Sequence, residues 1–160
     1  MNRVEPLLGN SVGKELDVVK AAARARAERV RSRFHVTLLC SEAWLRKLVV
    51  RSLRPPLVVA AFSMLDGRFL WDVSARSSIV ILHHSPPEVD LVETSWAFRK
   101  LDFFLGLPKI VLEDSGSSEC PAGVENFGWI ERLEVSNIAS DLESMVRSLI
   151  PQDPGDERAN

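Results

Sequence analysis

Three short polar clusters follow apolar runs in this chain: Cys40-Ser41-Glu42, His83-His84-Ser85 and Glu113-Asp114-Ser115. Together they hold a thiol, several hydroxyls, two imidazoles and three carboxylates. Two chemistries use such groups. Cys40 or Ser41 beside a histidine is the start of a nucleophile–base pair, but no local nucleophile motif surrounds either residue. Histidine with carboxylate is also a zinc or iron ligand set. Here the histidines are adjacent, and adjacent residues on a strand point to opposite faces. His83 and His84 therefore do not chelate one ion together, and no metal site is expected. No catalytic residue is assigned.

Phosphate binding is the sharper test. A P-loop needs GxxxxGK[ST], because glycines let backbone N–H groups wrap the phosphates and the lysine meets their charge. Gly9–Lys14 (GNSVGK) is one residue short, has no Ser or Thr after the lysine, and follows no strand. The turn Cys40–Lys47 (CSEAWLRK) has no glycine, and Trp44 and Leu45 would fill the space a phosphate needs. No cofactor is expected; binding of a nucleotide elsewhere is left open, but not in the P-loop manner.

The elements that position these clusters are legible as alternating patterns. Phe34–Cys40, Leu57–Phe62, Ile79–Leu82 and Lys109–Leu112 are short, nearly continuous apolar runs, and a fifth strand is predicted within Trp129–Val135. Strands of that kind are covered on both faces, which implies a parallel sheet. Helical patterns alternate with them: Glu42–Leu53, Glu88–Leu105 and Ser136–Ile150. The predicted fold is therefore α/β, a three-layer α/β/α domain around a mainly parallel sheet of about five strands. Ligands in such sheets sit at the carboxyl ends of the strands, which is where the three polar clusters fall. Ser63–Ser78 is ambiguous. Asp66-Gly67 signals a turn, and Arg68–Val73 fits either a strand or a short helix.

A loop over residues 1–13 and a basic helix, Lys14–Arg33, precede the sheet. One face of that helix carries Arg24, Arg26, Arg29, Arg31 and Arg33, a candidate surface for phosphate or an acidic partner against the simpler reading of a solvated face. Phe69–Trp71 and Trp129 are further candidate contact residues, against the simpler reading of core packing. Ser115–Gly123 reads as a loop and Pro151–Asn160 as a disordered tail. One domain over residues 1–150 is expected.

The bulk numbers exclude several classes. The 160 residues are 46% hydrophobic and 26% charged, ordinary for one globular domain. A net charge of -2 draws the chain neither to nucleic acid nor to anionic lipid. Cys40 and Cys120 lack CxxC spacing, which fits free thiols in a reducing cytoplasm. No signal peptide or membrane-spanning run is visible, so a cytoplasmic protein is expected.

The segment order resembles a shortened AAA+ core of the sigma-54-dependent transcription activators. Leu7–Ser11 (LLGNS) is similar to that family's opening phrase, Val36–Leu53 to its Walker A strand and helix, Pro56–Phe62 to the next strand, and Arg132–Ile138 (RLEVSNI) to a phrase near the end of the core. Arg46 falls where the family has its P-loop lysine, and His83 and His84 fall where Walker B ends in Asp-Glu. The GAFTGA loop, the helical lid and the DNA-binding helix-turn-helix are missing from the sequence. The resemblance thus implies a regulatory relative without nucleotide hydrolysis.

The same order also resembles a response-regulator receiver domain. That family places an acidic pair after the first strand, an aspartate after the third, Ser or Thr after the fourth and lysine after the fifth. Cys40–Glu42, His83, Glu113 and roughly Ile130–Arg132 stand there instead. This resemblance implies a pseudo-receiver that works by binding. A fainter likeness to TIR domains rests on Ser77–Pro86, Trp96 and Leu107–Glu113, with Lys100 where that family's glutamate would fall.

The expected function is a non-catalytic regulatory or interaction module in bacterial transcription or signalling, with protein partners and with oligomerisation left open. The rival is a small enzyme using the strand-end cleft around Cys40, Ser41, Glu42, Arg46, His83, His84, Glu113 and Asp114. Strand order separates the resemblances. A first strand between the third and fourth fits the P-loop type, and one between the second and third fits the receiver type.

Overall fold

The computed structural model describes residues 17–19, 34–100, 106–114 and 130–150. In chain order the elements are β1 (His35–Leu39), α1 (Ala43–Ser52), β2 (Val58–Phe62), α2 (Gly67–Ala75), β3 (Ile79–His83), α3 (Leu91–Arg99), β4 (Lys109–Glu113), β5 (Ile130–Glu134), a 3-10 turn (Val135–Asn137) and α4 (Ile138–Leu149). Residues 17–19 are helical. The five strands form one sheet in the order β2-β1-β3-β4-β5, and every pairing is parallel. β1 therefore lies between β2 and β3.

Side-chain parity divides the core in two. Leu39, Val80, Leu82 and Val111 face one way and meet Phe69, Leu70 and Val73 of α2 and Ala97 and Phe98 of α3. Val36, Leu38, Ile79, Ile81, Ile110, Leu112 and Leu133 face the other way and meet Leu45 and Val49 of α1 and Leu142 and Val146 of α4. The nearly continuous apolar runs have this cause: with helices on both sides of the sheet, both parities must be apolar. The three-layer α/β/α architecture expected from the alternation is the one observed.

Local signals set the helix starts. Asp66 is not a turn residue but the N-cap of α2, its side chain accepting from Phe69 N at 3.0 Å. That resolves the ambiguous segment as helix. A nine-residue helix places Phe69, Leu70 and Val73 on one face and buries them together, whereas a strand would turn Leu70 away from Phe69 and Val73. α3 begins at Leu91, later than the pattern suggested, because the Pro86-Pro87 turn and the Ser85–Val89 bridge intervene. Asp90 then caps it through Val92 N at 2.9 Å.

The outer strands differ in chemistry. β5 (IERLE) carries Glu131, Arg132 and Glu134. β2 (VVAAF) carries no polar side chain and is only partly buried. The predicted N-terminal loop, most of the basic helix with its five arginines, the Ser115–Gly123 loop, Trp129 and the tail lie outside the described residues.

Candidate functional site

The strand order creates a crevice. From β1 the chain turns to α1 on one face of the sheet, and from β3 it turns to α3 on the other. The two connections diverge, which opens a gap between the carboxyl ends of β1 and β3, the switch point where ligands bind in such sheets. A cleft of about 580 Å³ occupies this place. Glu42 and Trp44 line it from the start of α1, His83 to Pro86 from the end of β3, and Asp114 from the end of β4.

Parity decides which of the predicted residues meet. Cys40, His83 and Asp114 share the parity of Leu38, Ile81 and Leu112, so all three approach from the α1 and α4 side. The Cys40 sulfur lies 3.9 Å from His83 Nδ1, and His83 Nε2 lies 2.9 Å from Asp114 Oδ1. With Nε2 protonated to donate to Asp114, Nδ1 faces the thiol as an acceptor. His84, of opposite parity, uses Nδ1 to accept from Leu91 N at 3.2 Å and so holds the start of α3. The Ser41 and Ser85 hydroxyls hydrogen-bond to one another across the crevice.

Two predicted residues turn elsewhere. Arg46 donates from Nη1 to the Cys40 carbonyl at 2.8 Å, clasping the β1–α1 turn. Glu113 pairs with Arg132 on the neighbouring strand.

The thiol, imidazole and carboxylate form a chain of the kind that activates a nucleophile, but its exposure is inverted. Cys40 is fully buried, whereas the Asp114 side chain is 72% exposed. Burial pushes the Cys40 thiol above its usual range, outweighing the lowering by the Glu42 backbone contact and by Arg46. A nucleophilic cysteine needs the opposite arrangement, an accessible sulfur held as thiolate. Among the described residues no group of three His, Cys, Asp or Glu side chains is placed to hold a metal ion, and no helix is long and apolar enough to cross a membrane.

A second polar cluster escaped the sequence reading. Asp72 of α2 is buried on the opposite face of the sheet. Its Oδ2 lies 2.9 Å from His35 Nε2 and accepts from the Thr37 hydroxyl at 2.7 Å. His35 and Thr37 share the parity of Leu39, so the network pins α2 to β1. The signal was present in the sequence: two polar residues on alternate positions of an otherwise apolar strand. Of the Phe69–Trp71 surface candidates, Phe69 is wholly buried against Phe98, and only Trp71 reaches solvent, with Arg76 stacked 5.0 Å over its ring. The core-packing alternative thus holds for Phe69.

Comparison with models of known protein families gives no match, and comparison with curated proteins gives none either.

Proposed function

We propose that this chain is a regulatory interaction module of receiver-like arrangement that works by protein contact, without phosphotransfer or nucleotide hydrolysis. The observation that carries this reading is the end of β3. His83 stands where a receiver would need its phosphoacceptor aspartate, and its ring is already engaged with Asp114. The order β2-β1-β3 supports the receiver-like form over the AAA+-like form, in which the first strand would neighbour the third and fourth. Among the described residues that line the cleft there is no lysine or arginine to meet a phosphate, and Arg46 is turned back onto the Cys40 carbonyl.

The test is treatment with acetyl phosphate and magnesium, followed by intact-mass measurement, with a thermal-shift series in millimolar ATP and ADP. The expected result is an unmodified mass and an unmoved melting point, since a ligand that binds only the folded state must raise it. A covalent phosphoryl adduct, or a nucleotide-dependent shift lost in Arg46→Ala, overturns the reading.

The Cys40–His83–Asp114 chain favours a second reading, a small enzyme at the same cleft. It requires the sulfur to become accessible. Fast single-site alkylation of Cys40 in the native protein would support it.

A further inference from the structure

We propose that β2 is the pairing edge of a two-fold symmetric dimer, in which the β2 strands of two copies of this chain hydrogen-bond antiparallel and join two sheets into one.

The backbone shows which groups are on offer. Val58 N donates to Phe34 O at 2.8 Å, and Cys40 N donates to Phe62 O at 2.9 Å. Alternate residues of a strand serve the same neighbour, so Val58, Ala60 and Phe62 turn their amides and carbonyls toward β1. Val59 and Ala61 turn theirs outward. Among the described residues no strand lies beyond them.

Side-chain chemistry selects a strand of the same kind as the occupant. An open edge is ordinarily guarded by charge, proline or a bulge. The other edge follows that rule, with Glu131, Arg132 and Glu134 on β5. β2 is VVAAF, with neither charge nor proline inside it, and Val58 is 57% exposed. A charged or polar peptide finds no complement there.

A second β2 does. In antiparallel self-pairing centred on Ala60, Val59 of one copy meets Ala61 of the other, so every outward amide and carbonyl of both residues is satisfied. Ala60 then meets its own counterpart on the axis. This is a non-hydrogen-bonded pair, where side chains approach most closely and where methyl groups fit. Val58 meets Phe62 of the other copy. No like charges oppose each other, and residue i contacts j as j contacts i, as an isologous interface requires.

The experiment is sedimentation equilibrium of the full chain across a concentration series. Alongside it run two edge variants, Ala61→Pro, which removes an outward donor while sparing the bonds to β1, and Val58→Lys, which charges the exposed rim. The expected result is a mass that doubles with concentration in the wild type and stays single in both variants, with melting curves that show both are folded. Register is read separately. Ala60→Cys, in a Cys120→Ser background that keeps only the buried Cys40 as a native thiol, should cross-link to a disulfide dimer on oxidation, and Ala61→Cys in the same background should not. A wild type that remains monomeric at every concentration overturns the proposal. So does a dimer untouched by either edge variant, or one that cross-links through Ala61→Cys in preference to Ala60→Cys.

Discussion

His83 Nε2 sits 2.9 Å from Asp114 Oδ1, and the two ends of this bond occupy different media: the imidazole side chain is 5% exposed and the carboxylate 72%. The bond is anchored from the buried side. A mostly solvated carboxylate gains little from a partner, because water solvates it almost as well. The imidazole stands deeper, beside the Cys40 thiol and over the α1 side of the sheet.

The two substitutions should therefore be unequal. Asp114→Ala is expected to cost under about 1 kcal/mol. His83→Ala removes a buried ring and leaves a void at the end of β3, for a cost of about 2 kcal/mol. Urea unfolding of both variants checks this. Equal losses would mean that the hydrogen bond, and not the packing of the ring, holds the strand end.

This asymmetry bears on what the sequence disclosed. Alternation and apolar runs were enough for the sheet, because burial on both faces leaves a mark at each strand position. They also placed Cys40, His83 and Asp114 at strand ends. Parity from the apolar positions already puts these three on one face, and the pairing register, with Leu39 opposite Leu82, makes Cys40 and His83 neighbours. Register is a tertiary fact, and no spacing along the chain encodes it. The same gap hid Asp72, whose partners lie 37 and 35 residues away. It also hid the fate of Arg46 and Glu113, because a long polar side chain chooses its partner after the backbone is built.

Asp72 makes the strongest case for a structural polar network. Asp72→Ala strips partners from the buried His35 ring and the Thr37 hydroxyl together, with an expected cost of about 3 kcal/mol. Replacing His35 and Asp72 jointly by Phe and Leu should cost less than the two single changes summed, because neither the ring nor the carboxylate is then left buried without the other, while the Thr37 hydroxyl loses Asp72 in the single and the double change alike. A double-mutant cycle from denaturant unfolding measures the difference. Strict additivity would show that the contact carries no coupling.

Cys40 should be slow to alkylate. Its sulfur is buried and burial raises the thiol above its ordinary range, so the thiolate is scarce and out of reach. Modification then proceeds through opening of the fold, and peptide-resolved labelling with iodoacetamide at pH 8 should be slower than in urea by roughly a thousandfold or more. Labelling at the unfolded rate would mean that the β1–α1 turn opens readily, and it would favour the enzymatic reading of the cleft.

Lys109 gives the fold an alkaline signature. Its side chain is buried at the start of β4, with Nζ donating to the Leu107 carbonyl at 2.7 Å. Desolvation lowers its pKa from 10.5 to about 8. Below pH 8 both the folded and the unfolded chain carry this proton, so the burial penalty is constant. Between about 8 and 10.5 the unfolded chain still holds the proton and the folded chain has released it, so in this window Lys109 makes stability rise with pH. The slope reaches about 1.4 kcal/mol per pH unit at most. Other groups titrate in the same range, and the raised Cys40 thiol acts in the opposite sense, so the contribution is isolated by difference. Lys109→Met keeps the length and apolar stem of the side chain and removes the charge. It should be more stable than the wild type near pH 7 and lose that advantage as the pH approaches 10. Urea unfolding of the two proteins at pH 7, 8.5 and 10 reads the convergence. Parallel stability curves would mean that Lys109 keeps its proton in the folded state across the whole range.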